Sequence, residues 1–152
     1  MTISARLETL GLTLPKAAAP VASYQPLVVQ GGWCFVSGQL PFVAGELVTG
    51  KLGADVSLER GQEAARACGL MILAQLEAAG LLDRVTQVVK LGGFVASTPD
   101  FTDQPKVVNG ASDLMFEVFG EHGRHARSAV GVPVLPLDAA VEVDAILAIS
   151  DA

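Results

Sequence analysis

The chain has 152 residues, is 51% hydrophobic and carries a net charge of −6 at pH 7. That is one domain's length with enough apolar material for a real core, which excludes a disordered chain. The acidic balance without a basic block argues against nucleic acid as a partner. No apolar run approaches the ~20 residues of a bilayer span.

In chain order, Thr2 to Leu10 reads as a short helix, and Pro15 to Pro20 as an extended arm, because proline restricts itself and its predecessor. The start lacks the charged-then-apolar pattern of a secretory leader, so the cytoplasm is the expected location. Residues 1–20 are read as a peripheral arm and 21–152 as a single domain. Leu27-Val28-Val29-Gln30 and Trp33 to Ser37 read as strands joined by the tight turn Gly31-Gly32, and Leu47-Val48-Thr49 as a short third strand. Ser57 to about Ala79 is the clearest helix. Ser57 suits the N-cap, Glu59 complements the dipole, and Ala64, Cys68, Met71, Ile72 and Leu76 form one apolar stripe. Asp83 to Ala96 reads as a strand in which Gly92-Gly93 marks a bulge or a close approach of backbones. A second helix starts near Pro105, and the final strands are Ser128–Val134 and Ala140–Ile149. Cys34 and Cys68 fall in a strand and a helix and are expected as buried reduced thiols. With only two histidines, no metal site is expected. This order predicts an α+β domain: a mixed sheet with two helices on one face and the other face in need of cover, which oligomerisation would supply.

Two charges interrupt the final apolar strands. Arg127 lies in His125-Ala126-Arg127-Ser128-Ala129-Val130, and Glu142 follows fifteen residues later in Val141-Glu142-Val143-Asp144. Buried charge is costly unless a partner or ligand offsets it. A guanidinium fork suits a carboxylate, and a nearby glutamate can move a proton. The pair reads either as a small anion-gripping site or as a structural Arg–Glu ion pair. His122 and His125 read as loop residues, with His125 the alternative lining of an Arg127 pocket. Ser37 and Gly38 could add a hydroxyl and an unhindered backbone N–H, and Tyr24 could wall a small site. No phosphate loop, nucleophile elbow or zinc spacing occurs.

Taken together, Pro20 through Tyr24, Ser37-Gly38-Gln39-Leu40-Pro41, Ala126-Arg127-Ser128, Leu135-Pro136 and Val141-Glu142-Val143 resemble the Rid (YjgF-like) family of reactive intermediate deaminases, older label endoribonuclease L-PSP. The stretch from Asp100 to Asp113 and the N-terminal arm look closest to a longer bacterial subgroup. The resemblance implies a chorismate-mutase-like homotrimer, its sheets facing inward and a site in each subunit cleft. It further implies cofactor-free hydrolysis of 2-imino or 2-enamino acids to 2-keto acids and ammonia, so the expected partners are small 2-imino or 2-keto carboxylates. Arg127 would hold the carboxylate and Glu142 would position water and shuttle protons. Tyr24 would come from a neighbouring subunit, and Ser37, Gly38 and Ala129 would complete the pocket. Ala129 stands where the family often has cysteine. For the family's helix asparagine, Asn109 and Ser112 both compete, Ser112 nearer the register. The rivals are a non-enzymatic small-carboxylate-binding or regulatory module using the same cleft and, more weakly, an endoribonuclease.

Overall fold

The computed structural model describes residues 1–20 and 23–151. Val21 and Ala22, inside the Pro20–Tyr24 motif, and the terminal Ala152 lie outside the described residues.

Helix α1 spans Ile3–Thr9 and is capped by Thr2, whose side chain accepts from the Ala5 N–H. The backbone N–H and hydroxyl of Ser4 both donate to Asp83, and Leu7 is buried. Strands β1 (Leu27–Gln30) and β2 (Trp33–Gln39) form an antiparallel hairpin. Its two turn residues, Gly31 and Gly32, have φ of 57° and 83°, a left-handed pair that a two-residue turn of this kind requires.

The predicted third strand is different in detail. Phe42–Val43 (β3) and Glu46–Leu47 (β4) make a separate small hairpin. Val48 is buried, and Thr49 forms only an isolated bridge to Ala139. Helix α2 (Leu58–Ala78) begins and ends where its sequence signals stand, with the Ser57 side chain accepting from the Arg60 N–H. A short 3-10 turn, Leu82–Arg84, delays strand β5 to Val85–Ala96. Helix α3 (Gln104–Phe119) follows, then β6 (Ala126–Val132) and β7 (Val141–Ile149). Strand β6 stops before Pro133, which has no N–H to donate to a ladder, and it begins at Ala126, two residues earlier than its residues suggested.

The five-stranded sheet has the order β1-β2-β7-β5-β6, with β5 and β6 parallel and the other neighbours antiparallel. Helices α2 and α3 cover one face. They approach closely: a Cβ at Gly110 would collide with the carbonyl oxygen of Gln62. Along β7, Val141, Val143, Ala145, Leu147 and Ile149 are buried toward the helices, as the period of two predicts. Cys34 and Cys68 are both buried free thiols.

Among the described residues no element covers the opposite face. Trp33, Phe35 and Val130 stand on it, 47%, 45% and 45% exposed; Phe35 pairs with Ile146 and Val130 with Phe94, and the charged Lys90, Glu142 and Asp144 lie between these two apolar pairs. No described helix is long and apolar enough to cross a membrane.

Candidate functional site

Register decides where the two interrupting charges point. On β6, Arg127 is paired with Leu91 of β5; on β7, Glu142 is paired with Phe94 of the same strand. Residues three apart on a strand face opposite ways. Leu91 is fully buried against the helices, so Arg127 turns toward α3; Glu142 turns to the open face with Phe94. The ion pair between Arg127 and Glu142 is therefore absent from the chain, and the two do not share a pocket within one copy. Sequence proximity of the two strands concealed this, because β5 lies between them.

The arginine half is built on the sheet edge. Arg127 Nη1 donates to Asn109 Oδ1 at 2.8 Å and to Ser112 Oγ at 3.1 Å. Asn109 and Ser112 are one turn apart on α3 and so lie on one helix face; both of the competing positions reach the guanidinium. Nε and Nη2 of Arg127 take no partner among the described residues, which leaves an edge of the fork for a ligand. His125 and Ala129 share the Arg127 face by alternation, and Ala129 packs against the core. His125 Nδ1 lies 2.9 Å from its neighbour's carbonyl oxygen, Ala126 O. A carbonyl only accepts, so Nδ1 carries the proton and Nε2 is the free nitrogen. Burial holds the imidazole below the ordinary histidine range; the Ala126 hydrogen bond acts the other way, and the Arg127 charge adds to the lowering. Together with Asn109, Ser112, Asp113, Phe116, Gly123 and Arg124, these two residues line a hollow of about 300 Å3.

The glutamate half lies on the open face beside β2. The β2–β7 ladder shifts register between Val36 and Gln39, so Ser37 and Gly38 stand out of the regular pairing. A Cβ at Gly38 would fall 2.6 Å from Glu142 Oε2, so a side chain there would push the carboxylate aside. The carboxylate thus lies directly against the β2 backbone. Burial raises the Glu142 pKa above its usual range, and Asp144 on the same face adds to the effect. Asp144 is raised mainly by burial as well, offset by a hydrogen bond from the Gly92 backbone and by Lys90.

The Gly92-Gly93 pair is a close approach on both faces. A side chain at Gly92 would strike Asp144, and one at Gly93 would strike Val108 of α3. The irregularities of β5 fall earlier, between Val85 and Gln87 and between Val88 and Lys90.

Ser37 uses its hydroxyl to donate to Gln25 O at 2.6 Å, which ties down the segment carrying Tyr24. Tyr24 lines a small hollow with Gly38, Gln39, Gln75 and Leu137, not with Arg127. Gln39 and Gln75 were not among the expected site residues. Gln39 Nε2 donates to Ser37 O, while Gln75 Nε2 donates to Gln39 Oε1 and to Ala18 O. Both side chains are nearly fully buried, so the Ser37-Gly38 turn and the arm are pinned to α2 by paired amides. The available signal was Gln75 itself, four residues after Met71 on the apolar stripe, where a polar residue needs a buried partner. Among the described residues no group of three or more potential metal ligands converges.

Residues 4–148 match the family described as "YjgF/chorismate_mutase-like, putative endoribonuclease". The chain belongs to the YjgF family. Its mixed sheet with two covering helices is that family's α+β fold. Protein TCP17 of Trypanosoma cruzi is 53% identical over 152 residues, covering 98% of this chain and 95% of that protein. A YjgF relative with a named activity, the 2-iminobutanoate/2-iminopropanoate deaminase of Dermatophagoides farinae, is 30% identical over 140 residues, 91% of this chain and 94% of that one. The crystal structure of Atu1372 from Agrobacterium tumefaciens, a protein of unknown function, superposes with a TM-score of 0.89 at 50% identity, covering 97% of this chain and 92% of that chain.

Proposed function

We propose that this YjgF-family chain is a cofactor-free deaminase of reactive 2-imino and 2-enamino acids, working as a homotrimer whose sites form between copies. The observation that carries this reading is the division of the site. Arg127 presents a free guanidinium edge on one face of the sheet, while Glu142 and Gly38 lie on the other. A second copy whose open face meets the β6 edge of the first would supply the missing half. The uncovered Trp33, Phe35 and Val130 give that contact its apolar drive.

In the assembled cleft Arg127 grips the substrate carboxylate. Glu142 takes a proton from a water as its oxygen bonds to C2 and the C=N double bond becomes single. That proton passes to the nitrogen. Glu142 then relays the hydroxyl proton to that nitrogen as the C–N bond of the carbinolamine breaks, so that ammonia leaves and the C=O of the 2-keto acid forms. The raised pKa of Glu142 brings it closer to the working pH, as a proton carrier requires. Ser37, the Gly38 and Ala129 backbones and the Tyr24 ring close the cleft, with Asn109 and Ser112 orienting Arg127. The deaminase among the relatives supports the substrate class.

The test is to add purified protein to an amino-acid oxidase that releases an imine. Faster keto-acid and ammonia appearance is expected; no acceleration with any imine, at saturating oxidase, would contradict the activity. Assembly has its own measurement. Light scattering at micromolar concentration should give three chains' mass, and a monomer would rule the shared cleft out.

A further inference from the structure

The hollow beside Arg127 is a trough along α3, and it has a second cationic end. Asn109 and Ser112, which hold Arg127, lie at one end, and Phe116 lies at the other. The Arg124 guanidinium sits over the Phe116 ring, 4.1 Å from its centroid, and its Nε donates to Glu121 Oε2 at 3.0 Å. Its backbone is held too: Arg124 N donates to Glu121 O, and Gln87 Nε2 donates to Arg124 O. The guanidinium rests on the ring and the carboxylate while its side chain stays 61% exposed, and its terminal nitrogens take no partner among the described residues. At a rise of 1.5 Å per residue, the two ends are about 6–10 Å apart along the helix axis. The lining carries two guanidinium groups and one carboxylate, Asp113, and Glu121 brings a second carboxylate to the Nε side of Arg124. His125 lies between the two arginines in sequence, Nδ1 committed to the backbone and the other ring nitrogen free.

We infer that this trough is a subsite for the distal carboxylate of the substrate, which makes short dicarboxylic 2-imino acids, those derived from aspartate or glutamate, the preferred class. The inference rests on the deaminase reading for its imine, and on the trough alone for its second carboxylate. Arg127 takes the carboxylate next to the imine; Arg124 takes the far one. Arginine is suited to both, since its planar fork meets a carboxylate with two parallel donors. A monocarboxylic substrate would leave the Arg124 end to water.

The experiment compares imines generated in situ by amino-acid oxidases from aspartate or glutamate with the imine from alanine, using the wild-type protein and Arg124→Gln. The readout is the ratio of kcat/KM for the dicarboxylic imine to that for the alanine imine. The wild type should favour the dicarboxylic imine, and Arg124→Gln should lower the ratio about tenfold, the loss of one charge-assisted contact. If both imines are hydrolysed but the ratio is near one, or is the same in the variant, the dicarboxylate assignment is overturned while the deaminase reading stands. Calorimetry with the corresponding keto acids separates the other case. If no imine is accelerated, yet 2-oxoglutarate binds more tightly than pyruvate and Arg124→Gln removes the difference, the trough assignment holds and the deaminase reading falls. Neither acceleration nor that difference in binding would overturn both.

Discussion

Arg127→Ala is expected to remove most imine hydrolysis from a protein that still folds. The side chain stands on an edge strand and is only half-buried, so its loss leaves Asn109 and Ser112 to solvent, not to a sealed core. What disappears is the charge-assisted grip on the substrate carboxylate, about 1.5–3 kcal/mol. That corresponds to roughly 10- to 150-fold in kcat/KM. Arg127→Lys should recover little, because an ammonium held by Asn109 and Ser112 has no second, parallel donor pair to present. Steady-state kinetics with a melting curve on the same preparation checks both variants. Near-wild-type turnover by a folded Arg127→Ala protein would remove the anchor role.

For Glu142→Gln the expected loss is in turnover, about 10²–10⁴-fold, with the fold and carboxylate affinity kept. The stability sign follows from the pKa. Burial raises the folded-state pKa of Glu142, so the folded protein binds this proton more tightly than the unfolded chain. Stability on this account rises as pH falls through the folded pKa and is reduced at neutral pH, where the group is charged. A neutral glutamine removes that cost, so Tm at pH 7 should be unchanged or higher. The wild-type rate should show an acid limb lying above the ordinary glutamate pKa, because the water must be met by an ionised carboxylate. Turnover at saturation that survives the substitution, with affinity or Tm lost instead, would make Glu142 a structural group.

Local signals in this chain carried far. Ser57 and Gly80 bracket α2, Gly31-Gly32 turns the first hairpin, and the alternation of Val141 and Val143 with Glu142 puts the acid on the face away from the helices. What stayed hidden depends on which strand lies beside which. That Arg127 and Glu142 face opposite ways follows only once Leu91 and Phe94 of β5 are known as their partners. The shift of register at Ser37 and Gly38, which lets the Glu142 carboxylate lie on the β2 backbone, is likewise a property of pairing with β7. Asn109 and Ser112 could not be told apart from spacing, because one helical turn serves both and the guanidinium is wide enough to meet the two. The Gln39–Gln75 bond joins residues thirty-six apart, out of reach of any local rule.

The central claim is that each site takes its arginine and its glutamate from different copies. Mixing two inactive variants tests it most directly. Arg127→Ala and Glu142→Gln chains are co-refolded in equal amounts beside a wild-type control. With random assortment into closed trimers, about three quarters are mixed, and each mixed ring holds one intact site of three. Sites shared between copies predict recovery of about one quarter of the wild-type activity. A mixture that refolds into trimers and stays as inactive as either parent would place both residues in the same copy's site and contradict the account.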